Sequence, residues 1–414
     1  MLDVEENRFL TETGPGTPMG ELMRQYWLPA LLSSELPAPD CDPVRVMLLG
    51  EALVAFRDSA GEVGLLDHGC PHRGASLYFG RNEHDGLRCV YHGWKFDARG
   101  RCVDMPNEPP NSRFKQHVAA RAYPVTERGG VIWAYLGPRE VPPAPPALEA
   151  AELGEAERQV YAVSRECNWL QAIEGELDTS HLGFLHMGAQ QPEDFEEGSF
   201  NYYTVRDRAP RYAALDTPYG AMYGAYRPAG SGETYWRIAQ FLFPVFSHIP
   251  TGVLGEQVLT RAWVPMDDEH VLFFSMGEKG GTVPVVSDAE LQPNGSGWFD
   301  RFRPLAVFGN DYRMDRAAQR RDSYTGIPGI HMQDKAITES MGPLLHRERE
   351  HLASSDVMVI LLRKRLAVAA RALAEEGVAP PGVDEPEVYR VRSGGVILPE
   401  GADWLAATAD LIGR

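Results

Sequence analysis

This sequence of 414 residues has few cysteines, no long apolar run and no excess of basic residues. The five cysteines form an odd, sparse set, unlike the disulfide framework of a small secreted domain. The longest uninterrupted aliphatic stretch, Val357 to Leu362, falls far short of the ~20 residues that cross a bilayer. The acidic N-terminus carries no signal-peptide pattern. We therefore expect a cytoplasmic protein that does not enter a membrane.

Acidic residues outnumber basic ones, 58 against 40, which gives a net charge of −18. A nucleic-acid binder normally carries a basic face, so this balance argues against that function. An anionic substrate remains open, because a pocket can hold a few arginines inside an acidic shell. The chain has the composition of a globular protein, and its length suggests about two or three domains.

The distribution of strand and helix signals predicts a small β domain followed by a larger α+β domain. Short β-rich runs broken by glycine begin at Pro43 and continue to Leu136. The proline-rich stretch Pro142 to Pro146 is the best candidate for a linker. After it, helical spacing covers Trp169 to Leu185, strand-like runs return, and an amphipathic helix is predicted over Ser355 to Glu376. The apolar positions of that last helix are Val357, Ile360, Leu361, Val368 and Leu373.

Two cysteine–histidine pairs form the first group of candidate metal ligands. Cys70 and His72 have the spacing C-x-H, and after sixteen residues Cys89 and His92 have the spacing C-x-x-H. Zn²⁺ accepts two thiolates and two imidazoles, so a zinc site is one interpretation. Zinc fingers, however, usually pair cysteine with cysteine along the chain. One Cys and one His from each loop favour a two-iron cluster, with both cysteines on one iron and both histidines on the other.

A second group is D-x-x-H-x-x-x-x-H, formed by Asp178, His181 and His186. Two histidines and a carboxylate on one face of a metal are typical of non-haem Fe(II) oxygenases. On an ideal helix, however, five residues at ~100° each separate the two histidines by about 140°. Both can bind one iron only if the helix ends or distorts between them, and Gly183 would permit that.

The segments CPHRGA and CVYHGWKFD resemble the Rieske iron–sulfur domain of ring-hydroxylating oxygenases. Together with GPGTPMG near the N-terminus, NWLQAIEGELDTSH and SSD, they look most like the phthalate-dioxygenase-type enzymes. The resemblance implies an N-terminal helical segment over 1–25 that packs on the catalytic domain. It further implies a Rieske [2Fe–2S] sandwich or barrel over 26–142 and a catalytic domain over 143–414. The catalytic domain is expected to have an antiparallel sheet flanked by helices.

The resemblance also implies the ligands and their partners. Cys70 and Cys89 would hold one iron of the cluster, and His72 and His92 the other. His181 and His186 would bind the mononuclear Fe(II), while Asp178 would bridge His181 to His92 of the next protomer. Such bridging requires an assembly, and the family implies a homotrimer or hexamer.

The third ligand of the mononuclear iron is expected to be a carboxylate far along the chain. We predict Asp356, because the family places its carboxylate ligand on the corresponding helix. Ser-Ser-Asp is also an ordinary start of a helix, in which case the carboxylate would only cap it. Asp334 and Glu339 are the alternatives.

The sequence thus predicts the terminal oxygenase of a Rieske non-haem iron system, using O2 and electrons from a separate NAD(P)H-dependent flavin and iron–sulfur reductase. No dinucleotide-binding fingerprint is present in this chain. The reaction would be cis-dihydroxylation, monohydroxylation or O-demethylation of an aromatic acid or aryl ether. Alternatives are an electron carrier without oxygenase chemistry and a zinc-stabilised structural or binding protein. Four residues are candidates for contact with the substrate: Arg211, Arg237, His248 and Thr179.

Overall fold

Two short helices begin the chain in the computed structural model, which describes residues 2–280 and 286–413. They are α1 (Val4–Thr11) and α2 (Pro18–Arg24). Asp3 caps α1 by accepting a hydrogen bond from the Glu6 N–H at 2.8 Å. Asn7 of α1 donates to the carbonyl of Leu345 at 2.9 Å, so this segment contacts the C-terminal part of the chain.

Three small antiparallel sheets form the N-terminal β domain. The sheets have the orders β1-β10-β9, β2-β3-β4 and β5-β6-β7-β8. The strands are β1 (Trp27–Leu32), β2 (Val44–Leu48), β3 (Glu51–Arg57), β4 (Val63–Asp67), β5 (Arg81–Asn82), β6 (Leu87–Arg88), β7 (Lys95–Phe96), β8 (Cys102–Asp104), β9 (Val125–Arg128) and β10 (Val131–Tyr135). Phe56, Leu66 and Phe96 belong to a small hydrophobic core that also contains Cys70 and Cys89. The predicted small β domain is confirmed.

One eight-stranded antiparallel sheet organises the C-terminal domain. Its order is β11-β17-β16-β15-β14-β13-β12, and β18 pairs with β14. The strands are β11 (Arg158–Arg165), β12 (Arg211–Thr217), β13 (Gly220–Gly230), β14 (Glu233–Leu242), β15 (Phe246–His248), β16 (Leu259–Pro265), β17 (Val271–Glu278) and β18 (Gly394–Pro399). The helices are α3 (Trp169–Leu177), α4 (Phe200–Arg206), α5 (Arg316–Arg321), α6 (Ile330–Ser340), α7 (Val357–Glu376) and α8 (Trp404–Ile412). The predicted α+β architecture is confirmed, and no helix in the described ranges is long and apolar enough to cross a membrane.

The strand register determines which side chains of this sheet face the same way. Directly opposed residues of antiparallel strands lie on one face, and alternate residues of one strand share that face. Ala225 lies opposite Arg237, and Ser247 lies opposite Arg261. Following these pairs across the sheet places four arginines on one face, which we call the arginine face: Arg165, Arg227, Arg237 and Arg261.

Helix α3 packs on the arginine face, whereas α8 covers the other face. Arg261 forms an ion pair with Glu176 of α3, with Nη1 2.8 Å from Oε1. On the opposite face the ring of Trp236 stacks on Trp404 of α8 with centroids 5.0 Å apart. The arginine face is therefore the one that looks toward the segment after α3, where the candidate iron ligands lie.

Candidate metal centres

The two cysteine–histidine loops of the N-terminal domain share one backbone design. In each loop the cysteine N–H donates to the carbonyl five residues later at 2.8 Å. The glycine four residues after each cysteine donates back to the cysteine carbonyl, Gly74 at 2.8 Å and Gly93 at 2.9 Å. Both glycines have positive φ, +75° and +79°, which other residues adopt only with strain. The CPHRG and CVYHG patterns therefore produce two matching loop tips.

The side chains of these loops separate into a buried thiol pair and an outer imidazole pair. Cys70 and Cys89 are buried, and the ring centroids of His72 and His92 lie 4.5 Å apart. Burial, with the neighbouring Cys89 adding to it, raises the pKa of the Cys70 thiol to about 11. Two adjacent thiols in such a place become thiolates readily only beside a metal cation.

One imidazole of the outer pair, that of His92, has a free nitrogen atom that a second iron could use. Nδ1 of His92 is buried and has no hydrogen-bond partner among the described residues. The ring of His72 stacks on Trp94 with centroids 4.4 Å apart, and the Trp94 indole N–H donates to Asn107 at 2.8 Å. Two thiols inside and two imidazoles outside fit a Rieske cluster, with two irons of different ligand sets.

The second centre begins where α3 ends. Asn168 caps the start of α3, and at the other end Asp178 leaves helical geometry with an extended backbone (φ −70°, ψ 118°). His181 therefore stands on a separate short 3-10 turn, His181–Gly183, and not on α3 itself. Gly183 has an ordinary φ; a Cβ there would approach Arg208 to 3.2 Å. The helix ends at Leu177, before both histidines, and not between them at Gly183 as expected.

Three candidate ligand atoms converge after this turn. The two Nε2 atoms of His181 and His186 lie 3.1 Å apart. Oδ1 of Asp334, on α6, lies 3.1 Å from Nε2 of His186 and 3.6 Å from Nε2 of His181. This group is the one set of three His, Cys, Asp or Glu side chains in the described residues whose ligand atoms all lie within 4.8 Å of one another. Its donor set is that of a facial triad for non-haem iron.

The structure does not bring Asp356, our first choice for the third carboxylate, to the histidines. Asp356 ends the 3-10 turn Ser354–Asp356 just before α7. Its Oδ2 accepts a hydrogen bond from the Ala353 N–H at 2.6 Å, so the carboxylate closes that turn. Glu339 is also engaged elsewhere, accepting from the Tyr312 hydroxyl at 2.7 Å. Asp334, named as an alternative, is the carboxylate that lies beside both histidines.

Both histidines are held at their second ring nitrogen. Nδ1 of His181 lies 3.5 Å from Oδ2 of Asp178, whose Oδ1 accepts two hydrogen bonds from Ser180, both at 2.7 Å. Burial alone would raise the pKa of the Asp178 carboxyl, but the bonds from His181 and Ser180 outweigh it and hold the pKa below its ordinary value. Nδ1 of His186 donates to Oε1 of Gln333 at 2.7 Å. Partners of this kind fix the ring orientation and leave Nε2 free for a metal.

Two of the four expected substrate contacts lie together on the metal side of the sheet. Nε of Arg237 donates to the Thr179 hydroxyl at 3.0 Å. Arg211 is exposed and pairs with Tyr226, so it lies on the opposite face. His248 is opposite Gln240 on that same far face and contacts the Thr260 hydroxyl at 2.9 Å. The structure therefore does not bring Arg211 and His248 to the metal side.

Gln333 and Arg227 were not singled out in the sequence. Gln333 precedes Asp334 on α6, and its Nε2 donates to the carbonyl of Ile327 at 2.9 Å. The available signal was the composition of α6, a helix with many polar residues that are nonetheless buried: His331, Gln333, Lys335, Thr338 and Glu339. A helix that buries so many polar groups needs specific partners for them.

Comparison with known proteins finds a matching family model for each of the two domains. The family model "Rieske [2Fe-2S] domain" matches residues 26–124, and the model "LigXa C-terminal domain like" matches residues 134–412. The 3-chlorobenzoate-3,4-dioxygenase oxygenase subunit of Comamonas testosteroni is 45% identical over 97% of this chain and 97% of that protein. The phthalate 4,5-dioxygenase oxygenase subunit of Pseudomonas putida is 37% identical over 98% of this chain and 94% of that protein.

A solved structure shows the same fold. Dicamba monooxygenase bound to dicamba superimposes with a TM-score of 0.59 at 20% identity, covering 85% of this chain and 98% of that one. The fold and the two centres define the class of Rieske non-haem iron oxygenases. Within this class, the chain belongs to the family of oxygenase subunits with a LigXa-like C-terminal domain. It is an oxidoreductase that uses a Rieske [2Fe–2S] cluster, mononuclear iron and O2, and it depends on a separate reductase.

Proposed function

We propose that His181, His186 and Asp334 hold the mononuclear iron, and that Cys70, His72, Cys89 and His92 hold the cluster. The observation that carries this proposal is the convergence of Nε2, Nε2 and Oδ1 within 4.8 Å of one another. When bound, the cluster supplies single electrons, and the mononuclear iron supplies a site for O2 beside the substrate. The substrate is an aromatic acid or aryl ether; 3-chlorobenzoate and phthalate appear in the names of two relatives.

The residues around the iron ligands fix the geometry that this chemistry requires. Asp178 orients His181 through Nδ1, and Ser180 holds Asp178 in place with its N–H and hydroxyl. Gln333 orients His186. Because each imidazole is held at Nδ1, its other nitrogen presents a lone pair to the metal.

We further propose a homotrimer or hexamer in the cytoplasm, in which Asp178 bridges His181 to the partner's His92. Asp178 is suited to this because Ser180 holds one carboxylate oxygen in place while the other oxygen contacts His181. The side chain also remains 26% exposed, so a partner's imidazole can approach it. A carboxylate between two imidazoles shortens the path for an electron and couples it to proton position.

Asp334→Ala and Asp356→Ala form a matched pair that tests the ligand assignment. Both remove one carboxylate of the same type, but only Asp334 lies among the histidines. Iron and sulfide are counted per purified chain, and the visible spectrum of the cluster is recorded. We expect about three irons in the parent and in Asp356→Ala, and about two in Asp334→Ala, whose cluster spectrum is unchanged. Full iron content in Asp334→Ala would contradict the assignment.

A further inference from the structure

Helix α6, which carries Asp334, is held in the fold mainly by polar groups. Its buried polar residues are His331, Gln333, Lys335, Thr338 and Glu339, whereas its buried apolar residues are Met332 and Ala336. Apolar packing has no fixed direction, but a hydrogen bond weakens steeply when its length or angle changes. The partners that fix the rotation of α6 therefore also fix the Asp334 carboxylate beside the two histidines.

Glu339 receives the bonds that join α6 to the rest of the domain. Its Oε2 accepts from the Tyr312 hydroxyl at 2.7 Å, and its Oε1 accepts from the Glu166 N–H, just after β11, at 2.7 Å. Nζ of Lys335, one turn earlier on α6, also donates to Oε1. Lys335 and Glu339 are 1% and 7% exposed. This buried carboxylate thus links α6 to β11 and to the segment that contains Tyr312.

Tyr312 reaches Glu339 from a strained stretch of backbone. Asp311, Tyr312 and Arg313 all have positive φ, 49°, 52° and 56°. In the described ranges they form the one run of three such residues without a glycine, and each of them costs free energy in this conformation. Asp311 and Arg313 are exposed, whereas Tyr312 is buried. The left-handed turn 311–313 therefore directs one side chain inward, to Glu339.

Neighbouring hydrogen bonds hold the left-handed turn in place. Asn310 accepts from the Val307 N–H at 3.0 Å and donates to the Leu305 carbonyl at 2.8 Å. The Tyr312 N–H donates to the Val307 carbonyl at 3.1 Å. Strained backbone persists only where its surroundings determine it, and it is concentrated at functional sites. Because the turn contributes none of the candidate iron ligands, its role lies in the side chain that it presents to α6.

We propose that Tyr312 is a positioning residue of the iron site: it fixes Glu339, and through Glu339 the rotation of α6 that presents Asp334 to the histidines. This inference rests on the proposed assignment of Asp334 as an iron ligand. A metal site requires its ligands to be held within about 0.5 Å of their working positions. Buried hydrogen bonds to a charged group are strong and directional enough to supply that precision.

Tyr312→Phe and Tyr389→Phe form a matched pair, because each removes a buried hydroxyl that donates at 2.7 Å. The Tyr389 hydroxyl donates to the carbonyl of Phe243, not to α6. The dissociation constant for Fe(II) is measured without O2 by competition with a chelator. We expect Tyr312→Phe to weaken Fe(II) binding by about 10-fold, and Tyr389→Phe to stay within about twofold of the parent. Equal affinities in the two variants would overturn the proposal.

The geometry of the iron site gives a readout that a loss of stability alone does not change. Nitric oxide binds Fe(II) in place of O2, and the EPR spectrum of this complex reports the symmetry of the iron ligands while the oxidised cluster is silent. Both variants lose a buried hydrogen bond, so we expect a similar decrease in Tm. Only Tyr312→Phe should broaden or shift the spectrum, because Asp334 is then less well fixed. A spectrum of Tyr312→Phe identical to that of the parent would overturn the proposal.

The route through Glu339 is tested in a background that lacks it. Lys335→Met combined with Glu339→Leu replaces both charges by apolar side chains, which avoids leaving one buried charge alone. The cluster spectrum and circular dichroism establish that this chain is folded. If Tyr312 acts through Glu339, adding Tyr312→Phe to this background weakens Fe(II) binding no further. An additional loss of about 10-fold, as in the parent, would overturn the route.

Failure of this inference is distinguishable from failure of the proposed function. If Asp334→Ala loses the mononuclear iron but Tyr312→Phe binds Fe(II) as Tyr389→Phe does, the iron site stands and the positioning role is rejected. If Asp334→Ala keeps the iron, the ligand assignment is rejected, and the positioning role is rejected with it.

Discussion

His186 illustrates how single residues prepare the iron site. Its Nδ1 is held by Gln333, which is held in turn by the backbone of Ile327, so the ring cannot rotate unless one of these two hydrogen bonds breaks. Gln333 is therefore a positioning residue that acts through His186. Its removal should change metal affinity more than it changes folding.

Gln333→Leu keeps the size of the side chain but removes the acceptor for His186. We expect affinity for the mononuclear iron to fall by about 10–100-fold, because the imidazole loses its orientation. The measurement is iron retention during titration with a chelator, followed by recovery with added Fe(II). Gln116→Leu, at an exposed position of the N-terminal domain, is the control and should retain iron as the parent does. Identical retention in both variants would show that Gln333 does not support the site.

His248 leads to a prediction about pH. It is buried on the far face of the sheet, and burial lowers its pKa from 6.5 to about 4. The unfolded chain takes up this proton as the pH falls through 6.5, whereas the folded chain does so only near pH 4. The stability contribution is thus fully present above pH 6.5 and is lost between pH 6.5 and 4, by about 3 kcal/mol. His248→Gln should lose less stability than the parent over this window in denaturant titrations at pH 7 and pH 5.

The residue scale also shows what the sequence can and cannot specify about the site. Cys70, His72, Cys89 and His92 have close spacings, so local sequence alone predicts their grouping. The distant carboxylate has no such spacing: Asp356 and Asp334 are separated from the histidines by long stretches of chain. Only the packing of α6 near the end of α3 places Asp334 at His186. Ser-Ser-Asp does precede a helix, as the alternative interpretation expected, but the Asp356 side chain closes the 3-10 turn before α7 and does not cap α7 itself.

At the scale of elements, α3 is anchored by a buried charge network. Glu174 of α3 accepts from Arg347 at 2.9 Å and from Arg363 of α7 at 2.6 Å. Although burial opposes it, the two guanidinium groups hold the pKa of the Glu174 carboxyl below its ordinary value. The carboxylate thus links α3 to α7 and to the turn that contains Arg347. The position of α3 sets the start of the segment that carries Asp178 and His181.

Glu174→Gln tests this anchor. The neutral amide leaves two buried guanidinium groups without a full counter-charge, so we expect a loss of about 3–5 kcal/mol in the free energy of unfolding. Thermal unfolding followed by circular dichroism measures it. Glu12→Gln is the control, because its ion pair with Arg8 is largely exposed, and its Tm should match that of the parent. A Tm for Glu174→Gln equal to that of Glu12→Gln would contradict a stabilising role for the network.

Helical periodicity predicted the existence of the long C-terminal helix, but not its buried face. The predicted range Ser355 to Glu376 agrees with α7 to within two residues at its start. Two of the expected apolar contacts, Ile360 and Val368, are about half exposed, whereas Met358 and Leu362 are buried. Apolar residues occur almost all around this helix, so its sequence alone does not select one face. Contacts with α2 and with β12 and β13 make the selection.

At the scale of the whole molecule, the two candidate metal centres lie in different domains, and each domain has its own β-sheets. The two candidate cluster cysteines belong to the small core of the N-terminal domain, and the candidate iron ligands lie in the C-terminal domain. Asp178 is the residue through which we propose that a partner subunit's cluster reaches His181. Its Oδ2 already contacts His181, and the side chain is partly accessible from outside.

Asp178→Asn preserves the shape of this side chain but removes its charge. We expect both metal centres to remain bound, and electron transfer from the reduced cluster to be slowed by about 10–100-fold or more. The measurement is reoxidation of the prereduced cluster in a single turnover with O2 and substrate. Asp216→Asn, which alters an exposed carboxylate on β12, should reoxidise as the parent does. A reoxidation rate for Asp178→Asn within twofold of the parent would contradict the bridge.

Mixed assemblies decide whether the electron crosses between protomers. His92→Ala removes a cluster ligand and His186→Ala removes an iron ligand, so each variant is expected to be inactive as a pure assembly. If transfer occurs between subunits, an intact cluster in one protomer serves an intact iron site in its partner, and reassembled mixtures regain part of the parent activity. If transfer stays within one chain, every protomer of the mixture lacks one centre and the mixture stays inactive. The His92→Ala chain supplies the iron site in such a mixture. Adding Asp178→Asn to that chain should lower the recovered activity by about 10–100-fold or more. The chain then lacks the carboxylate that joins the partner's His92 to its own His181.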